Sequence, residues 1–142
     1  MKKTVHALFI TGMAIVGTLS LYACNTQAPL IFLEAPEEGS EIFAGYDVHF
    51  AALLQDKVGL SGYSVQITEI NGETDHGEDT VPFDYLNSWD IEGEKEAHLH
   101  QHDIIVPHNA ATGNYLFTLT CTNQKGRQSQ VSVSVVVVKL EE

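Results

Sequence analysis

Between Pro29 and Leu140 the apolar residues come in short runs broken by turn residues, and within each run they recur every second position rather than at helical spacing. Leu30 to Leu33 predicts a first strand, closed by a Pro36-Glu-Glu-Gly39 turn. Tyr46 to Leu54 predicts a second, with Val48, Phe50, Ala52 and Leu54 on one face and Asp47, His49 and Ala51 on the other. Leu60 to Ile70 predicts a third, with Tyr63, Val65 and Ile67 sharing a face. Asn71-Gly72, a strong turn dipeptide, opens a polar loop that runs to Thr80. Val81 to Ile91 reads as a short irregular strand that Pro82 marks as an edge. His98 to Val106 is a fifth strand, stopped by Pro107. Tyr115 to Thr122 and Gln130 to Leu140 are the last two, joined by an Asn123-Gln-Lys-Gly126 turn. No run keeps a helical period long enough to build a structural helix.

About seven short strands, each with one apolar and one mixed face, predict an all-β, immunoglobulin-like sandwich of two antiparallel sheets. Gly113-Asn-Tyr115, following Val106-Pro107, resembles the turn that sets a tyrosine at a sandwich corner. The domain is expected over residues 29–140.

The residues before it carry an address. Lys2 and Lys3 precede a mostly apolar stretch from Ala7 to Leu21 that ends in Leu21-Tyr22-Ala23-Cys24. This reads as a signal peptide over residues 1–23 with a bacterial lipobox, so that Cys24 becomes the lipidated first residue of the mature chain. An uncleaved transmembrane anchor fits less well, because the run is short, interrupted and followed at once by Cys and Asn-Thr-Gln. Residues 24–28 then form a short tether, and the domain is expected close to a bilayer in the bacterial envelope. Acidic residues just after the Cys, common in surface-exported lipoproteins, are lacking here, which favours an outer-membrane position facing the periplasm.

Composition narrows the partners. With 142 residues, 44% hydrophobic and 18% charged, the chain has the makings of one packed domain. Nineteen acidic residues against seven basic ones give a formal charge of -12, and loss of Lys2 and Lys3 with the signal brings it to -14. Such a field repels phosphate backbones and excludes nucleic acid as a partner. Of the two cysteines, Cys24 is committed to lipid, so no disulfide is expected; Cys121 shares the phase of Tyr115, Phe117 and Leu119 and reads as a small buried hydrophobe.

The most specific chemical feature is His98-Leu-His100-Gln-His102, whose alternation points three imidazoles to one side of a strand. Neighbouring histidines there are about 6.7 Å apart at the backbone, close enough for two rings to share one ion. The outer two are about 13 Å apart, so a further ligand must come from elsewhere. Because His98, His100 and His102 continue into the phase of Ile104 and Val106, they are expected to face the core or its open end, whereas His49 should face solvent. The 71–80 loop, with Asp75 and His76, is therefore the expected source. Zinc or copper suits imidazole best; the loop lacks the spacing of a calcium loop. A solvated strand face and a pH sensor are the other readings of the same histidines.

Tyr85 and Trp89 are the only aromatics suited to an exposed platform for a sugar or peptide, with Trp89 in the core as the simpler reading. They define the alternative function, a non-enzymatic accessory or adhesion module for a glycan or protein. No nucleophile elbow, H-E-x-x-H, C-x-x-C or phosphate-cradling loop occurs, and no enzyme is expected.

The lipobox, Asp56-Lys-Val-Gly-Leu60, the His strip running into Ile-Ile-Val-Pro107, and Asn109-Ala-Ala-Thr-Gly113-Asn-Tyr115 followed by the Gly126 turn together resemble a family of Bacteroidetes lipoproteins catalogued as domain of unknown function 4625. The likeness spans nearly all of residues 29–138. It implies a single Ig-like domain, rich in His after the third strand and along the fifth, as at His76, His98, His100 and His102. The family pattern also has His near Thr68, Thr74 and Leu116, where this chain has none. The resemblance implies a fold and a location but no activity.

Overall fold

The computed structural model describes residues 27–141, so the expected signal peptide over residues 1–23 and Cys24 lie outside the described residues. Eight strands follow in order: β1 (Leu30–Ala35), β2 (Ser40–Phe43), β3 (Asp47–Gln55), β4 (Leu60–Asp75), β5 (Tyr85–Asp90), β6 (Glu96–Ile105), β7 (Thr112–Asn123) and β8 (Gln128–Val138). They form two sheets, β1-β3-β6 and β2-β8-β7-β4-β5, packed as an all-β, Ig-like sandwich. The strand polarity read from the sequence puts Phe50 and Leu54 of β3, Val65 and Ile67 of β4, and Phe117 and Leu119 of β7 in the fully buried core. Phe50 and Phe117 meet across the two sheets, ring centroids 5.6 Å apart. Among the described residues the strand pairings and the core cluster run from Leu30 to Val138.

Two elements differ from the sequence reading. β2 was not foreseen: four residues after a turn carry too little alternation to declare a strand, and they are held by parallel pairing with Val135 to Val138 of β8. The predicted break at Asn71-Gly72 is instead a bulge within β4. Pairing with β7 lapses after Glu69↔Tyr115 and resumes at Thr74↔Gly113, so the extra residues loop out and the strand continues to Asp75. Gly72 supplies the turn, with φ of 78°.

The tyrosine corner is present. The Tyr115 hydroxyl donates to the Ala111 carbonyl at 2.7 Å and accepts from the Phe83 N–H at 3.3 Å, tying the 81–84 segment to the start of β7. Burial pushes its phenol above the ordinary tyrosine range, which keeps the donor proton in place. Tyr115→Phe is expected to lower stability by about 1–2 kcal/mol in urea titrations while preserving the fold, because a buried N–H and carbonyl lose their partner.

At the opposite end, Asp56 and Asn123 join two turns and the entering chain. Asp56 Oδ2 accepts from the N–H groups of Val58 and Gly59, and Oδ1 accepts from Asn123 Nδ2. Asn123 also donates to the Gln27 carbonyl and accepts from the N–H groups of Lys125 and Arg127. This closes the sandwich beneath the incoming chain. Cys121 is fully buried, and burial, with a smaller push from Asp56, raises its thiol to about 11. It is a core residue, not a nucleophile.

Candidate metal centre

β3 and β6 pair antiparallel, with Phe50 opposite Gln101, Ala51 opposite His100 and Leu53 opposite His98. Continued without a break, that register would set inward-facing Val48 against Asp103 and bury a carboxylate. The pairing instead shifts, and Val48 meets Ile104, with one more residue on β6 than on β3 between the paired positions. His102 and Asp103 are both exposed in consequence, and the strand changes phase between them and Ile104. The bulge lets Ala97, Leu99 and Gln101 turn inward in the first half of β6 and Ile104 in the second.

The expectation that the His strip faces the core is therefore corrected: His98, His100 and His102 all lie on the outer, solvent face of the three-stranded sheet. His49 lies on that same face, as its alternation against Val48 and Phe50 predicted, but it stands beside the strip rather than apart from it. Its ring stacks on His102, centroids 4.9 Å apart and planes 4° from parallel, and meets His100 edge-on, also at 4.9 Å. A ligand nitrogen from each of His49, His100 and His102 lies within 4.8 Å of the other two. The separation between His100 Nε2 and His102 Nε2 is 3.2 Å. Two nitrogens bound to one tetrahedral zinc at 2.0–2.1 Å are about 3.3 Å apart, so this pair already spans one edge of a coordination polyhedron.

Asp47 orients the group. Its Oδ2 accepts from His102 Nδ1 at 2.6 Å, which fixes the proton on Nδ1 and leaves the Nε2 lone pair facing His100. The same hydrogen bond is the main cause that holds the Asp47 carboxyl below its usual range, ahead of the opposing effect of desolvation. A carboxylate behind a ligating imidazole is the usual outer support of a transition-metal site. The side chains of His102 and Asp47 are 52% and 44% exposed, so an ion held here remains open to water or to a further ligand.

The other expected ligands are elsewhere. His98 is on the same strand, but its Nε2 turns to Glu96 Oε1 at 2.8 Å, away from the trio. Asp75 ends β4 in the other sheet, paired with Thr112, and does not cap the His strand. His76 follows it and points back to Glu69 Oε1 and Thr74 Oγ1, each at 3.1 Å. The loop joins the wrong sheet because β4 pairs with β5 and β7, not with β6. Tyr85 and Trp89 are half-buried against the core, and Trp89 stacks on Tyr63 with centroids 4.9 Å apart, which leaves little of either ring as a platform. The sequence signal that would have located the bulge is a phase conflict: Ala97 and Leu99 claim the odd positions for the core, Ile104 and Val106 the even ones.

No curated protein matches this chain. Among solved structures it is similar to the fibronectin(III)-like modules of Clostridium thermocellum CbhA, with 19% identity and a TM-score of 0.46 over 80% of this chain and 99% of that one. It is also similar to CopC from Methylosinus trichosporium OB3b, with 16% identity and a TM-score of 0.39 over 80% of this chain and 98% of that one. The family model described as Domain of unknown function (DUF4625) matches residues 20–138, nearly the whole of the sandwich, and the chain belongs to that family.

Proposed function

We propose that this protein is a lipid-anchored component of the bacterial envelope whose Ig-like domain binds a divalent transition metal, zinc or copper, through His49, His100 and His102. The observation that carries this reading is the convergence of three imidazole nitrogens from two strands within 4.8 Å, with Asp47 behind His102. Imidazole donors select zinc or copper over magnesium and calcium, which prefer oxygen. His100 and His102 hold their Nε2 atoms at hydrogen-bonding distance, 3.2 Å apart. An ion bound here would take a lone pair from each of these nitrogens, with Asp47 holding the His102 ring in place.

We read the role as binding or delivery, because the sequence offers no nucleophile elbow, H-E-x-x-H or C-x-x-C motif. The anchor reading rests on the Leu21-Tyr22-Ala23-Cys24 sequence, and the lack of acidic residues in the following Asn-Thr-Gln-Ala favours an outer-membrane position facing the periplasm. The test is elemental analysis and thermal melting of residues 24–142 purified without a His tag. Stoichiometric zinc or copper, or a rise in Tm on adding either ion in excess, is the expected result. No bound metal and no shift with either ion would end this reading. Asp47→Asn is expected to weaken ion binding by about 10–100-fold in competition titrations, because the tautomer and tilt of His102 are then no longer held.

A further inference from the structure

Basic residues are few in this acidic domain, and the fold gathers them. Lys57 lies in the turn between β3 and β4, Lys95 in the connection from β5 to β6, and Lys125 and Arg127 in the turn between β7 and β8. Backbone hydrogen bonds weld these turns into one end of the sandwich: Asp56 N–H to the Lys95 carbonyl, Gln124 N–H to the Gly59 carbonyl, and Gly93 N–H to the Leu60 carbonyl. Gln27 arrives at the same end, held by Asn123. Five carboxylates share it, Asp56, Asp90, Glu92, Glu94 and Glu96, which leaves this end with one negative charge in excess. The rest of the described chain carries one basic residue, Lys139, against thirteen carboxylates. The domain is therefore a charge dipole, close to neutral where the chain enters and strongly negative everywhere else.

This end is also shaped. A groove of about 720 Å³ is lined by Lys57 and Lys95, by the carboxylates of Asp56 and Glu96, and by Gln27, Ala28, Leu30 and Gln55. Leu30 is 59% exposed at its mouth, and Val58 stands exposed on the adjoining turn. Two residues, Asn25 and Thr26, lie between Cys24 and Gln27, a reach of at most about 11 Å even fully extended, which is comparable to a Debye length in physiological salt. The nine residues of β3 carry the opposite end about 27 Å further away. Asp47 and His49 open that strand at the far end, so the histidine trio stands well clear of the tether.

We propose that the tether-proximal end of the sandwich docks on anionic phospholipid headgroups, with Lys57 and Lys95 reaching phosphates, the groove between them receiving a headgroup, and Leu30 and Val58 touching the interface. The surface rests on the reading of Cys24 as the lipid anchor. The dipole turns the acidic face and the histidine trio outward, so the domain stands upright instead of lying on its side.

The experiment couples the thiol of Cys24, in residues 24–142, to a maleimide lipid in vesicles; Cys121 is buried and does not compete. This supplies an anchor whether or not the cell attaches one. Amine acetylation, read by mass spectrometry, then compares Lys57, Lys95 and Lys125 with Lys139. On vesicles containing about 30% phosphatidylglycerol the first three are expected to react at least about fivefold more slowly than Lys139, and the difference should vanish in about 0.5 M salt and on pure phosphatidylcholine. In the Lys57→Glu, Lys95→Glu double variant, with its melting checked against wild type, Lys125 should return to its solution rate. Equal reactivity of all four lysines on anionic vesicles would overturn the docking surface. So would protection of Lys125 that survives in the double variant, since that would be shielding by the tether alone. The mass of Cys24 in protein isolated from membranes tests the anchor separately: lipid there with unprotected lysines removes the docking surface only, and protection on coupled vesicles with an unmodified native Cys24 removes the anchor only.

Discussion

His49→Ala is expected to lower zinc or copper affinity by about 100-fold or more, while His98→Ala, at one end of the same histidine-rich face, leaves it within about twofold. His49 supplies one of three converging nitrogens, and its loss leaves a two-ligand chelate in water. His98 is bonded to Glu96, with its side chain 75% exposed, and shares nothing with the trio. The readout is the thermal shift with ion held at about 100 times the wild-type Kd, worth about 2.7 kcal/mol of stabilisation in the wild type and largely absent in His49→Ala. A loss from His98→Ala with none from His49→Ala would place the ligands along β6 instead of across β3 and β6. That result would return the site to the arrangement expected from the strand alone.

Gly113→Ala carries the largest expected effect on stability, a loss of about 3 kcal/mol or more in denaturant titrations. Gly113 has φ of 129°, a conformation L side chains rarely adopt, and it lies where β7 rejoins β4 past the bulge. A Cβ there would sit 2.1 Å from the Glu73 carbonyl oxygen and 2.7 Å from Thr74 Cα, both main-chain atoms that cannot swing aside. Backbone strain and overpacking each cost about 1–3 kcal/mol at such positions. Gly72→Ala is the matched control. Its φ is 78° but nothing lies within 4 Å of the added carbon, so only the left-handed penalty of about 1–2 kcal/mol applies. A Gly113→Ala protein as stable as the control would show that the bulge yields, and that the close approach of the two strands is not needed.

Much of the sandwich was legible because a strand declares itself locally. Val48, Phe50 and Leu54 alternate in the sequence and lie in the core, and Tyr115 makes the corner that Gly113-Asn-Tyr115 suggested. β2 was illegible for the opposite reason, since its four residues are a strand only because β8 is there to pair with them. The Asp56–Asn123 hub was likewise hidden: two polar residues far apart in the chain give no sign that their turns meet.

The histidine site divides along the same line. That three imidazoles alternate on one strand, that the domain is acidic, and that Cys24 follows Leu21-Tyr22-Ala23 are properties of neighbouring residues, and the amino-acid order settles them without reference to anything distant. Which face the strip occupies, and which residues complete it, were decided by the extra residue in β6 opposite His49. Strand period is a local property, whereas register is a contest among whole strands to bury Ile104 without burying Asp103. The tertiary structure resolved that contest with a bulge, drew His49 and Asp47 to the strip, and left His76 and Asp75 on the other sheet.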